Sequence, residues 1–309
     1  MEAEIRDSIP HAGEFDISLI FGRKKDIEQS LQRVLGLFAL AGDIGEAVKY
    51  VVFSDGKRIR PILGTLVLDI FDENREIYTD ILSLIEFIHS YSLVHDDLPC
   101  MDNDDMRRGR PTLHRKYNEE FAAFTGSIIL ERVMYVLAGL LEEAGLAKNE
   151  KMEIISLFDS HIGFKGMVGG QIMDMKLNND NSSLEQKYLE MIELKTARLI
   201  ELPVSIACIL SGSDEVSRSF LSEYARNIGM LFQLIDDLLE IISDEQTIGK
   251  STKSDSKNRK VTAVTLFGRR NVELFADSLY FNAIRALKHF GSKGLCLAEF
   301  AVFLRNRKK

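Results

Sequence analysis

The stretch from Ser92 to Thr112 reads SLVHDDLPCMDNDDMRRGRPT. It sets Asp96, Asp97, Asp102, Asp104 and Asp105 close together and follows them at once with Arg107, Arg108 and Arg110. Carboxylates at this density repel one another unless something positive joins them. A ligand set made only of oxygen suits a hard ion such as Mg²⁺. An EF-hand loop fits poorly. Counting from Asp102, the sixth position is Arg107 rather than glycine, and the twelfth is Leu113 rather than glutamate. Taken alone, the stretch also reads as a solvated acidic turn. A second cluster weighs against that reading. FQLIDDLLEI places Gln233, Asp236, Asp237 and Glu240 at i, i+3, i+4 and i+7, which is one face of one helix. Its other residues, including Leu231, Leu234, Ile235, Leu238 and Ile241, are apolar. A helix so apolar is expected to be central, and a buried acidic stripe requires cations.

Cations are available. GKRIRP supplies Lys57, Arg58 and Arg60, and RRGR follows the first acidic cluster directly. Lys195 and Thr196 lie within helical apolar spacing, and SDEQTIGKSTKSDSKNRK carries Lys250, Lys253, Lys257, Arg259 and Lys260. Each set alone is an ordinary solvated face. Arginine forks and lysine point charges are also how proteins hold phosphates. The simplest ligand common to two acidic clusters and several cationic ones is a diphosphate carried by Mg²⁺.

Helices must position these groups. Only five prolines interrupt the chain. Ile81, Leu84, Ile85 and Ile88 form a helical stripe leading into the first acidic cluster, with Ser92 one turn before Asp96. Pro99 disfavours helix at Leu98, so the helix is expected to stop there and let Asp102 swing back beside Asp96. Ser183 and Gln186 fit a capping box for a helix carrying Tyr188, Met191 and Ile192. Phe220 to Ile242 reads as another helix. HIGFKGMVGGQIMD reads as a helix whose glycines permit close contact, with Gln171 and Asp174 one turn apart. The polar run from Ser243 to Lys260 reads as a loop or lid. The expected fold is all-α, a single domain over residues 1–309.

The 309 residues and ordinary apolar content suffice for a substantial core. A net charge of −8 argues against general nucleic-acid binding. No run reads as a membrane span, and the acidic N-terminus lacks a signal or transit pattern. Cys100, Cys208 and Cys296 are odd in number and widely spaced, which fits a reducing cytoplasm.

GKRIRP, the DDLPCMD run with RRG behind it, GGQIMD, the Lys195–Thr196 pair, FQLIDD and the Gly249–Lys250 pair stand in this order along the chain. In that order they resemble the trans-type polyprenyl (isoprenyl) diphosphate synthase family, from about Gly56 to Gly268. The resemblance implies a barrel of helices around a deep cavity, a homodimer and three Mg²⁺ ions. It also implies head-to-tail condensation of isopentenyl diphosphate with an allylic diphosphate. Carried over by residue, Asp96, Asp97 and Asp102 resemble the first metal motif, and Asp236 the main ligand of the second, supported by Asp237 and Glu240. Arg107, Lys195, Lys250 and Lys260 resemble holders of the allylic diphosphate, with Thr196 and Gln233 nearby. Lys57, Arg60, His89 and Arg108 resemble the isopentenyl diphosphate site.

Four positions depart from the family pattern: Asp55 and Ser127 where glycine and aspartate are usual, Glu240 for aspartate, and Ala263 where tyrosine is frequent. Tyr91, five residues before Asp96, is expected to form a cavity floor beside Ser92 and so limit product length. With the longer first motif DDLPCMD, this resembles the bacterial short-chain pattern and favours farnesyl diphosphate over geranylgeranyl diphosphate. A terpene cyclase would not need Lys57, Arg60 and His89, and a non-catalytic synthase subunit would not need intact acidic clusters. A metal phosphohydrolase, suggested by HDD, would want further histidine ligands.

Overall fold

A computed structural model describes residues 17–73, 75–177, 183–248 and 261–307. Helices dominate: α1 (Ile17–Leu37), α2 (Gly42–Val52), α3 (Ile59–Ile70), α4 (Glu76–Asp96), α5 (Leu113–Lys116), α6 (Glu119–Glu143), α7 (Lys148–Ile162) and α8 (Met167–Leu177) come first. They are followed by α9 (Leu184–Ile192), α10 (Arg198–Leu210), α11 (Glu215–Ile248), α12 (Ala263–Phe267), α13 (Arg269–Leu287) and α14 (Leu295–Asn306). Among the described residues, the one extended element is a small hairpin, β1 (Met106–Arg107) against β2 (Arg110–Pro111), antiparallel with Arg107 opposite Arg110. Its turn residues, Arg108 and Gly109, both have positive φ, as a tight two-residue hairpin turn demands. The turn aims the Arg108 side chain back towards α4.

The expected stripe on α4 is buried: Ile81, Leu84, Ile85 and Ile88 are all fully covered. This helix lies along α6, whose inner face buries Ile129, Val133 and Leu137. Asn118 caps α6 by accepting from the Phe121 amide at 2.7 Å. By length and composition α6 is apolar enough to cross a membrane, contrary to the sequence expectation. That apolarity serves its contact with α4 on one side and leaves Phe124 and Tyr135 exposed on the other.

Several local expectations need correction. The HIGFKG run is not one helix. It breaks between α7 and α8, where Gly163 is extended and a side chain at Gly166 would strike the His161 carbonyl at 2.0 Å. Ser183 does precede α9, but its backbone is left-handed (φ 55) and its hydroxyl caps nothing. A capping side chain needs the extended conformation that Ser183 lacks. The helix expected from Phe220 to Ile242 runs from Glu215 to Ile248, so the first part of the supposed lid is helical. The rest of that lid, with Lys250 and Lys260, lies outside the described residues.

Lys195 and Thr196 sit not in an α-helix but in a π-helical turn, Glu193–Ala197, between α9 and α10. Such a bulge often marks a functional position. Two glycines clasp it. A Cβ on Gly170 of α8 would lie 2.3 Å from the Lys195 nitrogen, and one on Gly229 of α11 would lie 2.7 Å from the Ala197 Cα. The glycine stretch therefore does permit close helix contact. Gly170→Ala is expected to lower stability by about 1–3 kcal/mol through overpacking. A shift in urea midpoint at unchanged m measures this.

Candidate active site

α4 stops where the sequence said it would. Its last residue is Asp96, and the Asp102 amide donates to the Asp96 carbonyl at 2.9 Å, which returns Asp102 to the helix end. Burial pushes the Asp96 carboxyl up to about 6, against the pull of Lys195, and Asp102 adds to the rise. Asp97 does not join them. It is buried and faces away, accepting from Arg107 Nε at 2.9 Å and Nη2 at 2.6 Å. Arg107 also binds Asp104 at 2.7 Å. Consecutive helical residues point about 100° apart, so adjacent aspartates cannot serve one point. Asp97 and Arg107 thus neutralise each other in the structure.

The second cluster divides in the same way. Asp236 faces a cavity shared with Lys57 and Arg60, and Arg307 reaches it at 2.6 Å. Burial raises the Asp236 carboxyl despite Arg307. Asp237 is buried and lies in a different pocket, with Asp174, Lys195 and the exposed Glu240. Its oxygens accept from Tyr188 Oη, from the Ala263 amide at 2.6 Å and from Gln233 Nε2 at 2.8 Å. Gln233 Oε1 in turn accepts from the Thr196 hydroxyl at 2.8 Å. Asp237 therefore ties four elements together. The spacing that predicts one acidic face does not present all four residues to one cavity.

Lys195 Nζ lies 2.6 Å from Asp174. Against the cost of burial, Asp174 and Asp96 hold its ammonium above the usual lysine range. Lys195, Thr196, Gln233, Gln171 and Asp96 line one wall of a cavity of about 370 Å³. Tyr91, Ser92 and His95 continue it, with apolar surface from Met167, Ile172 and Leu199.

A second cavity, of about 480 Å³, gathers Lys57, Arg60, His89, Arg108, Asp236 and Arg307. Arg60 is 8% exposed, and its Nε has no hydrogen-bond partner. Burial, with Arg108 and Arg307 nearby, pushes its guanidinium down to about 10. Arg108 approaches His89 Nε2 at 3.3 Å and Ser54 Oγ at 3.1 Å. Burial, and then Arg60 and Arg108, hold the His89 imidazole well below its usual value. Cations held this close, with the Arg60 Nε unpartnered, fit a polyanion. The two cavities share Arg60, His89 and Phe232, so they adjoin.

Among the described residues, no three His, Cys, Asp or Glu side chains converge closely enough to hold an ion unaided. The donor set nevertheless fits a hard cation. Asp96, with Asp102 beside it, lines one cavity and Asp236 the other; all are carboxylates, and burial raises Asp96 and Asp236. The sequence reading missed Glu86, Tyr188 and Arg307. Glu86 is a buried acid in the apolar stripe one turn before His89, a signal that was available. Arg307 comes from the far end of the chain and carried none.

A family model described as polyprenyl synthetase matches residues 42–285. Over 268 residues the chain is 34% identical to the chloroplastic geranylgeranyl pyrophosphate synthase of Capsicum annuum, covering 85% of this chain and 72% of that one. Over 251 residues it is 34% identical to the farnesyl diphosphate synthase of Bacillus subtilis (strain 168), covering 81% and 83%. A crystal structure of a geranyltransferase from Legionella pneumophila aligns with a TM-score of 0.81 at 32% identity, covering 94% and 96%. An FPP/GFPP synthase structure from Zymomonas mobilis aligns at 0.78 with 30% identity, covering 92% and 99%.

Two outcomes follow from the hydrogen bonds and the half-buried His89. Tyr188→Phe leaves a buried carboxylate oxygen with one bond fewer and is expected to cost about 1–3 kcal/mol in chemical denaturation. His89 is neutral in the fold below the pH at which the unfolded chain protonates it, so the unfolded state binds more protons there. Stability therefore falls as pH drops below about 6.5. His89→Gln should flatten that part of the profile, seen in urea midpoints at neutral and mildly acidic pH.

Proposed function

The chain belongs to the polyprenyl synthetase family and is a transferase that builds short-chain prenyl diphosphates; on that premise we propose farnesyl diphosphate as its product, made from isopentenyl diphosphate and an allylic diphosphate. One observation carries the substrate assignment: two cavities with cationic sites of different composition adjoin at Arg60, His89 and Phe232, and the one with Lys195 is lined mostly by apolar surface.

In this reading Lys57, Arg60, His89 and Arg108 bind the diphosphate of isopentenyl diphosphate. The unpartnered Nε of Arg60 is a buried donor that such an anion would approach. Lys195, Thr196 and Gln233 hold the allylic diphosphate, its chain lying along Tyr91 and Ser92. Arg107, Lys250 and Lys260 complete that site by family likeness. Asp96, Asp102 and Asp236 would hold Mg²⁺, three ions in all, with Asp97, Asp237 and Glu240 supporting from their fixed positions. When bound, Mg²⁺ draws negative charge onto the leaving pyrophosphate. Lys195 adds a half-buried positive charge at that end, where partial removal from water strengthens it. The apolar wall excludes the water that would quench a cationic carbon. The double bond of isopentenyl diphosphate then attacks that carbon, and the released pyrophosphate takes the departing proton.

A geranylgeranyl product is the second reading. It is favoured by the names of plant relatives such as those of Capsicum annuum and Arabidopsis thaliana. Farnesyl is favoured by Tyr91, which stands in the cavity wall. We also propose a homodimer formed through the exposed face of α6, where Phe124 and Tyr135 are 68% and 65% exposed, and a cytoplasmic location, which suits three free thiols.

Asp96→Ala and Asp236→Ala should each lower turnover by at least about 100-fold with helix content intact, measured by radiolabelled condensation. Near-normal turnover in either folded variant would overturn the metal assignment. Arg108→Ala should chiefly raise the KM for isopentenyl diphosphate, and Lys195→Ala that for the allylic partner. Steady-state kinetics giving the reverse would exchange the two subsites. Mass spectrometry of products from each allylic primer decides chain length, and Tyr91→Ala should lengthen it.

A further inference from the structure

Tyr91 is not alone in that wall. Four residues on, on the same face of α4, His95 also lines the cavity, and the two rings meet edge to face with centroids 4.8 Å apart. The His95 ring is held from behind. Its Nε2 lies 3.1 Å from the Ala123 carbonyl of α6. A carbonyl can only accept, so Nε2 carries the proton there. The second support is a space rather than a contact. Gly126 of α6 is buried, and a Cβ built on it would lie 2.4 Å from His95 Nε2 and 2.5 Å from Cδ2. No side chain fits at position 126 while the ring stays where it is. A glycine inside a long helix weakens that helix relative to alanine, so its presence there requires such a reason.

We infer that Gly126 is a specificity-determining position for product length, acting through His95, whose ring forms the cavity boundary together with Tyr91. The ring is confined by the Ala123 carbonyl, by the α6 backbone at Gly126 and by Tyr91. The cavity is its open side. Any side chain at position 126 moves the ring into that space and shortens the longest chain the cavity accepts. Removing the imidazole does the opposite. Neither Gly126 nor Ala123 lines the cavity, so they act at one remove, and the residue that meets the growing chain is His95.

The inference rests on the prenyl-elongating reading above, and the test separates the two. Gly126→Ala, His95→Ala and the double variant are each incubated with isopentenyl diphosphate and either dimethylallyl or geranyl diphosphate, and products are resolved by mass spectrometry. Gly126→Ala should lower the ratio of longer to shorter products at least tenfold, and His95→Ala should raise it. In the double variant the effect of Gly126→Ala should vanish, because the new methyl then has no ring to displace. Circular dichroism reports whether each variant folds. If Gly126→Ala fails to fold, His95→Ala still decides, since an unchanged product distribution overturns the inference. An equal shift from Gly126→Ala with and without the imidazole also overturns it. Wild-type protein that forms no prenyl product from either primer would instead overturn the function reading, and this inference with it.

Discussion

Two arginines two residues apart, Arg58 and Arg60, are both buried and meet opposite ends. Arg58 is saturated: it donates to Glu28 at 2.7 Å, to Glu86 at 2.9 Å and to the carbonyls of Val52 and Ser54. Arg60 keeps a buried, unpartnered Nε. Burying a guanidinium is costly, and the cost is tolerable only when acceptors replace the lost water. Arg58 supplies that replacement within the fold. It thereby fixes a left-handed residue (φ 55) at the start of α3, from which Arg60 is projected towards the cavity. Glu86 is the common counter-charge, raising Arg58 by its proximity and opposing the downward push of burial on Arg60 and Arg108. The saturated arginine thus leaves its neighbour as a buried cation with an unpartnered donor in the wall of the cavity.

The acidic side follows the same rule in reverse. Each acidic pair is split by the helical turn. Asp96 faces one cavity and Asp236, paired with Arg307, faces the other, while Asp97 and Asp237 are buried and bonded to neighbouring elements of the fold. Those two are not idle. Asp97 with Arg107 pins the hairpin that carries Arg108. Asp237 fixes Gln233, and through it Thr196, to the backbone at Ala263. A motif that reads as a row of metal ligands is thus partly scaffold. One carboxylate of each adjacent pair fixes polar residues beside the other: Arg107 in the first pair, Gln233 and through it Thr196 in the second.

The cavity between these groups depends on places where side chains are absent. Gly170 and Gly229 let the backbone of the π-helical turn approach closely enough to present Lys195 and Thr196. Gly56 lies where a Cβ would stand 3.0 Å from both Arg58 and Arg108. Close approach of this kind follows from dense interiors: where the backbone must come near, nothing larger than hydrogen fits.

The sequence by itself determined the helical class, the end of α4 before Pro99, the return of Asp102 to Asp96 and the grouping of Lys57, Arg60, His89 and Arg108. Each of these is a local matter. Apolar period, the steric demand of proline and charge type are properties of neighbouring residues, so they survive without coordinates. Tertiary structure alone decided which cavity each aspartate of a pair meets, that Lys195 rides on a π-helical turn and that the HIGFKG run breaks. It alone brought Glu86 beneath Arg60 and Arg307 onto Asp236. Those outcomes depend on partners far away in sequence. Arg307 meets Asp236 across most of α12, α13 and α14, and no spacing rule reaches that distance. A charge declares its sign in the sequence, but whether it is spent or left open is settled by what the fold places beside it.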